Sequence, residues 1–311
     1  MNDRTLAVFE EHRRLLFGIA YRMLGSVTDA QDMVQESYLR WQQAADEAIR
    51  SPRAWLTTVV TRLCLNHLEL ARVKRETYFG QWLPEPLVDE RASDPAETSQ
   101  LADSLSLAFL VLLETLSPTE RAVFILREAF ECEFPDIARI VEKSEANCRQ
   151  ILTRARQRID ERRPRFEASR AEAEKLVGTF VNALKNGDLE AMLARLSASV
   201  VLVSDAGQKP GALLQPLLGA EPVARAMLHA TRKHGIEHAD IRPASINGLP
   251  GFVRFQDGRA QSVLAFGVAG GRIEAVFVIS NPDKLRHLNP PQSKEVEPIA
   301  APTPEPFRRG T

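Results

Sequence analysis

"LSPTERAVFILREAFECEFPDIARIVEKSEANCRQILTRARQRI", residues 116–159, reads as three helices parted by two short turns. Ser117, Pro118 and Glu120 form an N-terminal capping device, so a helix is predicted over 118–130. A short helix follows over 134–141, and a long one runs from Ser144 to about Arg163. A short helix followed, after a tight turn, by a longer basic one is the helix-turn-helix pattern. Glycine, usual in the turns of such units, is absent, and Glu131 and Glu142 stand near the places it would occupy.

The last helix carries the chemistry. From Arg149 to Arg165 there are seven arginines against Asp160 and Glu161. Arginine bonds guanine edges bidentately, glutamine does the same for adenine, and surplus positive charge neutralises phosphates. An arginine run alone is most often a solvated helix face. Placed after a short helix and a turn, it reads as a DNA-binding helix, with Asn147, Arg149, Gln150, Arg154, Arg156 and Arg158 as the contacting residues.

Working outward, residues 5–77 are helical in pattern and broken once, at Gly25-Ser26. Thr28 with Gln31 has capping-box spacing. In "DAQDMVQESYLRW", residues 29–41, Ala30, Met33, Val34, Tyr38 and Trp41 share one face, while Asp29, Asp32 and Glu36 form a ridge displaced from it. Ser51-Pro52 starts a helix with Leu56, Val59, Val60, Leu63 and Leu70 expected inward and Trp55 in the same apolar stripe. Its far end is basic, with Arg72, Lys74 and Arg75.

Residues 78–94 hold a glycine, two prolines and late acids, which mark a linker, and Asp94, Pro95 and Glu97 are expected to cap a helix running to about Leu116. Beyond Pro164, helical stretches at 166–186, 188–196 and 220–233 precede strand-like runs at 251–256, 260–268 and 272–280. Asp257-Gly258 and Gly270-Gly271 punctuate the runs, so an antiparallel meander within an α+β domain is expected. The proline-rich tail, 289–311, carries little apolar content and is expected to be disordered.

Composition sets limits on all of this. A chain of 311 residues suggests two or three domains. No apolar run reaches the roughly 18 residues of a membrane span, and the first residues lack the uninterrupted apolar stretch of a secretion signal, which places the chain in the cytoplasm with no membrane partner. Cys64, Cys132 and Cys148 form no C-x-x-C pair and read as small buried apolar groups. A net charge of −1 argues against a protein that coats nucleic acid over its whole surface. No cofactor and no metal is implied.

Two separated stretches now converge on one family. "DAQDMVQESYLRW" resembles the segment of sigma-70-type factors that docks on RNA polymerase, and residues 116–159 resemble their promoter-reading helix-turn-helix. The compact spacing between them resembles the extracytoplasmic-function class, and the likeness covers about residues 5–163. "WLPEP" at 82–86, "DAGQK" at 205–209 and "NPDKL" at 281–285 resemble signatures of the subgroup that carries a SnoaL-like C-terminal domain. Ala206 and Gln208 depart from the subgroup's D-G-G-G-K pattern. Relatives often carry Asp at the place of Asn66 and a basic residue at the place of Glu69.

The resemblance implies a multidomain fold: two all-α sigma domains followed by an α+β SnoaL-like cone. The expected divisions are 5–80 (region 2), 81–97 (linker with WLPEP), 98–165 (region 4), 166–288 (the cone) and 289–311 (the tail). It implies that Asp29, Asp32, Gln35 and Glu36 meet the beta-prime clamp helices of core RNA polymerase. Promoter DNA would be held at the minus-ten element by Arg62, Asn66, Arg72, Lys74 and Arg75, and at the minus-thirty-five element by the arginine-rich helix. Trp82, Leu83, Pro84, Asp205, Lys209, Asn281, Pro282, Asp283, Lys284 and Leu285 would serve a regulatory contact between linker and third domain.

Two other readings stay open: a one-component helix-turn-helix regulator with a ligand-binding domain, and a cyclase or isomerase with a DNA-binding appendage. The second needs a carboxylate or histidine tuned for proton transfer in an apolar cavity, and Asp205, His234, His238 and Glu274 are the candidates. Structural roles for these four are the better expectation, and no residue singles out a ligand for the cone.

Overall fold

The computed structural model describes residues 3–44, 49–76, 80–89, 106–161, 169–207, 213–234 and 240–289, with backbone alone for 3–4, 71–76 and 234. The expected cap at Asp94, Pro95 and Glu97, and the tail beyond Asn289, lie outside these. The N-terminal part is α1 (Asp3–Leu24), α2 (Val27–Gln43) and α3 (Pro52–Glu76). Gly25, at φ +65°, takes the left-handed conformation that ends α1, and Ser26 accepts from the Asp29 amide to start α2. Ser26, and not the Thr28/Gln31 pair, is therefore the cap of the docking-type helix.

A two-residue strand, β1 (Val88–Asp89), follows in the linker, and then come α4 (Leu107–Leu113), α5 (Pro118–Glu128), α6 (Phe134–Val141) and α7 (Glu145–Asp160). The expected capping box at Ser117 and Glu120 is formed in both directions. Both glycine-free turns are made by glutamates in the left-handed region, Glu131 at φ 53° and Glu142 at φ 54°. Helix, turn and helix thus assemble as expected, with strain of a kind glycine avoids.

The C-terminal part is α8 (Arg170–Asn186), α9 (Leu189–Leu193), β2 (Leu196–Asp205), β3 (Leu217–Leu218), α10 (Ala220–His234), β4 (Asp240–Ile246), β5 (Leu249–Gln256), β6 (Arg259–Ala269), β7 (Arg272–Ile279) and a 3-10 turn at Pro282–Leu288. The strands form one sheet in the order β1-β4-β5-β6-β7-β2-β3, with β2 and β7 parallel and all other neighbours antiparallel. The meander β5–β6–β7 is the one expected, but it is only the middle of the sheet. The helix expected over 188–196 is the shorter α9, and residues 196–205, for which the sequence pattern indicated no strand, form a ten-residue one, because Leu196, Val200 and Leu202 fill the domain core and the strand pairs with β7. The outermost strand is supplied by the linker, where Val88 pairs with Ile246 and Asp89 with Ser245.

One apolar cluster runs through both helical parts, joining Phe9, Leu16, Tyr21, Leu56 and Val60 to Phe124, Ile137, Leu152 and Ile159. A second lies between α8–α10 and one sheet face, and a third on the opposite face takes in Leu83, Leu107, Ala108 and Leu285. The sheet therefore carries α8–α10 on one side and the linker, the start of α4 and the 3-10 turn on the other. Cys64 and Cys148 are buried as expected, whereas Cys132 is only half-buried. Leu70 was expected inward but is 79 % exposed, because the buried face of α3 at that end is the one that carries Cys64 and Leu68. No helix among the described residues is long and apolar enough to cross a membrane.

Candidate nucleic-acid interface and linker clamp

Helix α7 presents its polar face outward. Cys148, Leu152, Ala155 and Ile159 are buried at helical spacing, which leaves Asn147, Arg149, Gln150, Arg154 and Arg156 exposed and Arg158 partly so. Three of the arginines are steered by carboxylates: Arg149 to Glu145 at 3.0 Å, Arg156 to Glu128 at 2.6 Å and Arg158 to Glu120 at 3.0 Å. Arg149 also lies over the Phe134 ring, 4.8 Å from its centroid. Surface pairs of this kind are weak, so phosphates can displace them at little cost.

On α2, Asp32 and Gln35 are exposed and Asp29 and Glu36 half-buried, on the side away from Ala30, Val34 and Trp41. Asp29 is 3.6 Å from His67 of α3, and Glu36 is 3.1 Å from Arg40. Trp55 packs on Trp41 with ring centroids 5.6 Å apart, which makes it a structural residue.

Of the α3 residues assigned to DNA, Asn66 is exposed. Arg62 reaches across to α6, donating to the Arg139 carbonyl at 2.9 Å and the Ile140 carbonyl at 3.3 Å, and it pairs with Glu142 at 3.1 Å. The side chains of Arg72, Lys74 and Arg75 lie outside the described residues, as do Lys209 and His238 and the side chain of His234. A second bridge runs from buried Arg121, which donates to the Met23 carbonyl at 2.7 Å while pairing with Glu114.

The linker is gripped from both sides. On the third-domain side, the Leu83 amide donates to Asp205 Oδ2 at 2.9 Å, Lys284 Nζ bonds both the Leu83 carbonyl and Asp205, and Lys284 Nζ lies 4.1 Å from the centroid of the Trp82 ring. Pro84, next along, is buried. Asn281 caps the 3-10 turn through the Asp283 amide, Pro282 opens that turn, and Leu285 is buried in the core shared with Leu83. Gly207, in the left-handed region, donates to Asp205 Oδ1 at 3.1 Å, and a Cβ there would press on the Asn281 side chain at 3.0 Å. The residues of "WLPEP", "DAG" and "NPDKL" thus meet in one buried knot. Asp283 stays at its rim, paired with Arg286.

On the helical side the contact is Glu85. Its carboxylate accepts from Ser26 Oγ at 2.9 Å, the Val27 amide at 2.8 Å and the Thr28 amide at 3.2 Å, the two amides being orphan donors at the start of α2. Its own amide donates to the Gly25 carbonyl at 2.8 Å. The Tyr21 hydroxyl donates to the Glu85 carbonyl at 2.7 Å and accepts from Asn247 Nδ2 at 2.8 Å, so one phenol joins first helix, linker and third domain. Burial pushes that phenol's pKa up, and it stays protonated. Glu85, Tyr21 and Asn247 were not singled out from the sequence. The only available signal was the glutamate inside "WLPEP", whose donors are 57–59 residues away.

Neither carboxylate considered for catalysis lines the third domain's cavity. Asp205 is held by the linker, and Glu274 accepts from Ser199 at 3.3 Å outside it. Among the described residues, no group of three or more His, Cys, Asp or Glu is placed to hold a metal ion.

An exposed arginine-rich helix in a helix-turn-helix, fused by a shared core to a three-helix unit with an acidic ridge, defines a DNA-binding protein of the transcription apparatus. Residues 8–73 match the family model Sigma-70 region 2, and residues 106–159 match Sigma-70, region 4. The ECF RNA polymerase sigma factor SigJ of Mycobacterium tuberculosis is 35% identical over 89% of this chain and 92% of its own length. The probable ECF RNA polymerase sigma factor SigI of the same species is 32% identical over 92% and 97%. The crystal structure of the M. tuberculosis extracytoplasmic function sigma factor SigJ superposes with a TM-score of 0.73 at 34% identity, covering 90% of this chain and 98% of that one. This chain belongs to the extracytoplasmic function (ECF) sigma factors of the sigma-70 family.

Proposed function

We propose that the chain acts in the cytoplasm as a non-catalytic subunit that brings core RNA polymerase to promoters. The acidic ridge of α2 docks on the clamp helices of the polymerase, α3 holds the melted minus-ten strand, and α7 reads the minus-thirty-five element. The observation that carries this is the separation of charge: acids available on α2 and arginines exposed on α7, at distinct places on one helical core.

The third domain acts as the regulator. The two promoter elements lie about 25 base pairs apart, on the order of 80 Å at ~3.4 Å per pair. Helices α3 and α6 touch through Arg62, so the two DNA-reading units must part before both elements are read. The linker gripped by Asp205, Lys284 and Leu285 sets how far they part, and a short tether raises the effective concentration of one unit near the other.

Two measurements test this. Asp32→Lys with Glu36→Lys should weaken binding to purified core polymerase at least tenfold at low ionic strength, while binding equal to the unaltered chain would overturn the docking assignment. Lys284→Met should raise promoter-directed transcription by the reconstituted holoenzyme several-fold, and unchanged transcription would remove the regulatory part alone.

A further inference from the structure

The three helices of the helix-turn-helix unit meet at one aromatic ring. Phe134 opens α6, and the guanidinium of Arg127, in the last turn of α5, lies over its ring, 5.1 Å from the centroid. The guanidinium of Arg149, from α7, lies over the same ring at 4.8 Å. Both distances are within the roughly 6 Å over which a cation is drawn to an aromatic face. Arg127 is itself fixed, donating to the Cys132 carbonyl at 2.9 Å and to Glu133 at 3.0 Å. The ring is half-buried and packs against the shared helical core.

The arginines of α7 differ in what holds them. Arg156 and Arg158, toward the far end, are steered by the α5 carboxylates Glu128 and Glu120. Arg149 is the fifth residue of α7, in the N-terminal part of a reading helix that faces base edges. It is held both by Glu145 at 3.0 Å and by the ring. DNA displaces the exposed carboxylate, because phosphates and guanine edges compete with it for the same N–H groups. The ring does not compete. It engages the guanidinium through its π system and leaves the N–H fork free to donate.

We propose that Phe134 is a positioning residue for base recognition: it aims Arg149 at one base pair of the promoter once Glu145 has been displaced. This rests on the reading of α7 as the helix that enters the minus-thirty-five element. An arginine held by a ring addresses one base edge, whereas a loose one bonds any acceptor in reach, phosphates included. Phe134 therefore governs specificity at a single position rather than overall affinity.

The test uses holoenzyme reconstituted from core polymerase and the full chain, with promoter duplexes that it selects from a random-sequence pool. Arg149→Gln identifies the base pair that Arg149 reads, as the position where preference is lost. Phe134→Leu and Phe134→Met, two ring-free side chains that still pack on the core, should lower preference at that base pair tenfold or more. Preferences elsewhere should stay within twofold. Phe134→Tyr, which keeps the ring, should retain the preference, and Phe134→Leu should change it less than twofold further when added to Arg149→Gln. Unchanged preference in both ring-free variants, an equal loss at every position, failure of Phe134→Tyr to retain it, or no base-specific effect of Arg149→Gln would overturn the proposal. Selection of no recurring sequence by the unaltered holoenzyme would overturn the promoter reading itself, and the proposal with it.

Discussion

At Glu120 one carboxylate serves two structures. It accepts from the Ser117 amide at 2.9 Å, completing the cap of α5, and from Arg158 of α7 at 3.0 Å, tying the start of α5 to the reading helix. Burial pushes its pKa up, but the Ser117 donors and the Arg158 charge outweigh this and hold it below the ordinary carboxylate range. A group with a depressed folded pKa stabilises the fold above its unfolded value, about 4.3 for glutamate, and the benefit fades as pH falls through the folded value. Glu120→Gln should therefore lower the thermal midpoint at neutral pH, and the gap to the unaltered chain should close on acidification. A gap that stays constant across the titration would show that the charge at Glu120 does not matter.

Elements here are defined largely by how they end. Gly25 is required twice over: its φ is left-handed, and an added Cβ would sit 2.4 Å from the Trp82 ring of the linker. The turns flanking α6 use glutamate where glycine would be free of strain. Glu131→Gly should accordingly stabilise the protein by about 0.5–1 kcal/mol, read as a shift in the denaturation midpoint. Glu142→Gly should gain less, because it also removes the carboxylate that Arg62 pairs with. The sequence made these helices legible through Ser117, Ser144 and Pro118, whose caps act within three or four residues. It did not reveal β2 or the linker strand β1, since a strand that depends on a partner elsewhere in the chain carries little local signature of its own.

For the whole molecule, the shared core and the Arg62 and Arg121 bridges hold the helical parts together, while the third domain grips the chain that connects them. A fluorophore pair at Glu69 of α3 and Gln157 of α7, both exposed, should transfer energy efficiently in the free protein. Transfer should fall sharply once core polymerase and promoter DNA are added. Unchanged transfer in the complete assembly would mean that the two units do not separate.

Much of the candidate site could be found along the sequence. The acidic ridge and the arginine-rich helix each lie on one helix, where periodicity of 3.6 residues decides which side chains share a face. The class of fold followed for the same reason, from capped helices succeeded by alternating strands. What only the folded chain decided is the set of long-range partners: Glu85 at the start of α2, Tyr21 between linker and Asn247, and Lys284 between Asp205 and Leu83. Such contacts depend on which buried donor is left without an acceptor after distant segments pack. No local spacing encodes that, because the need arises only when water has been excluded.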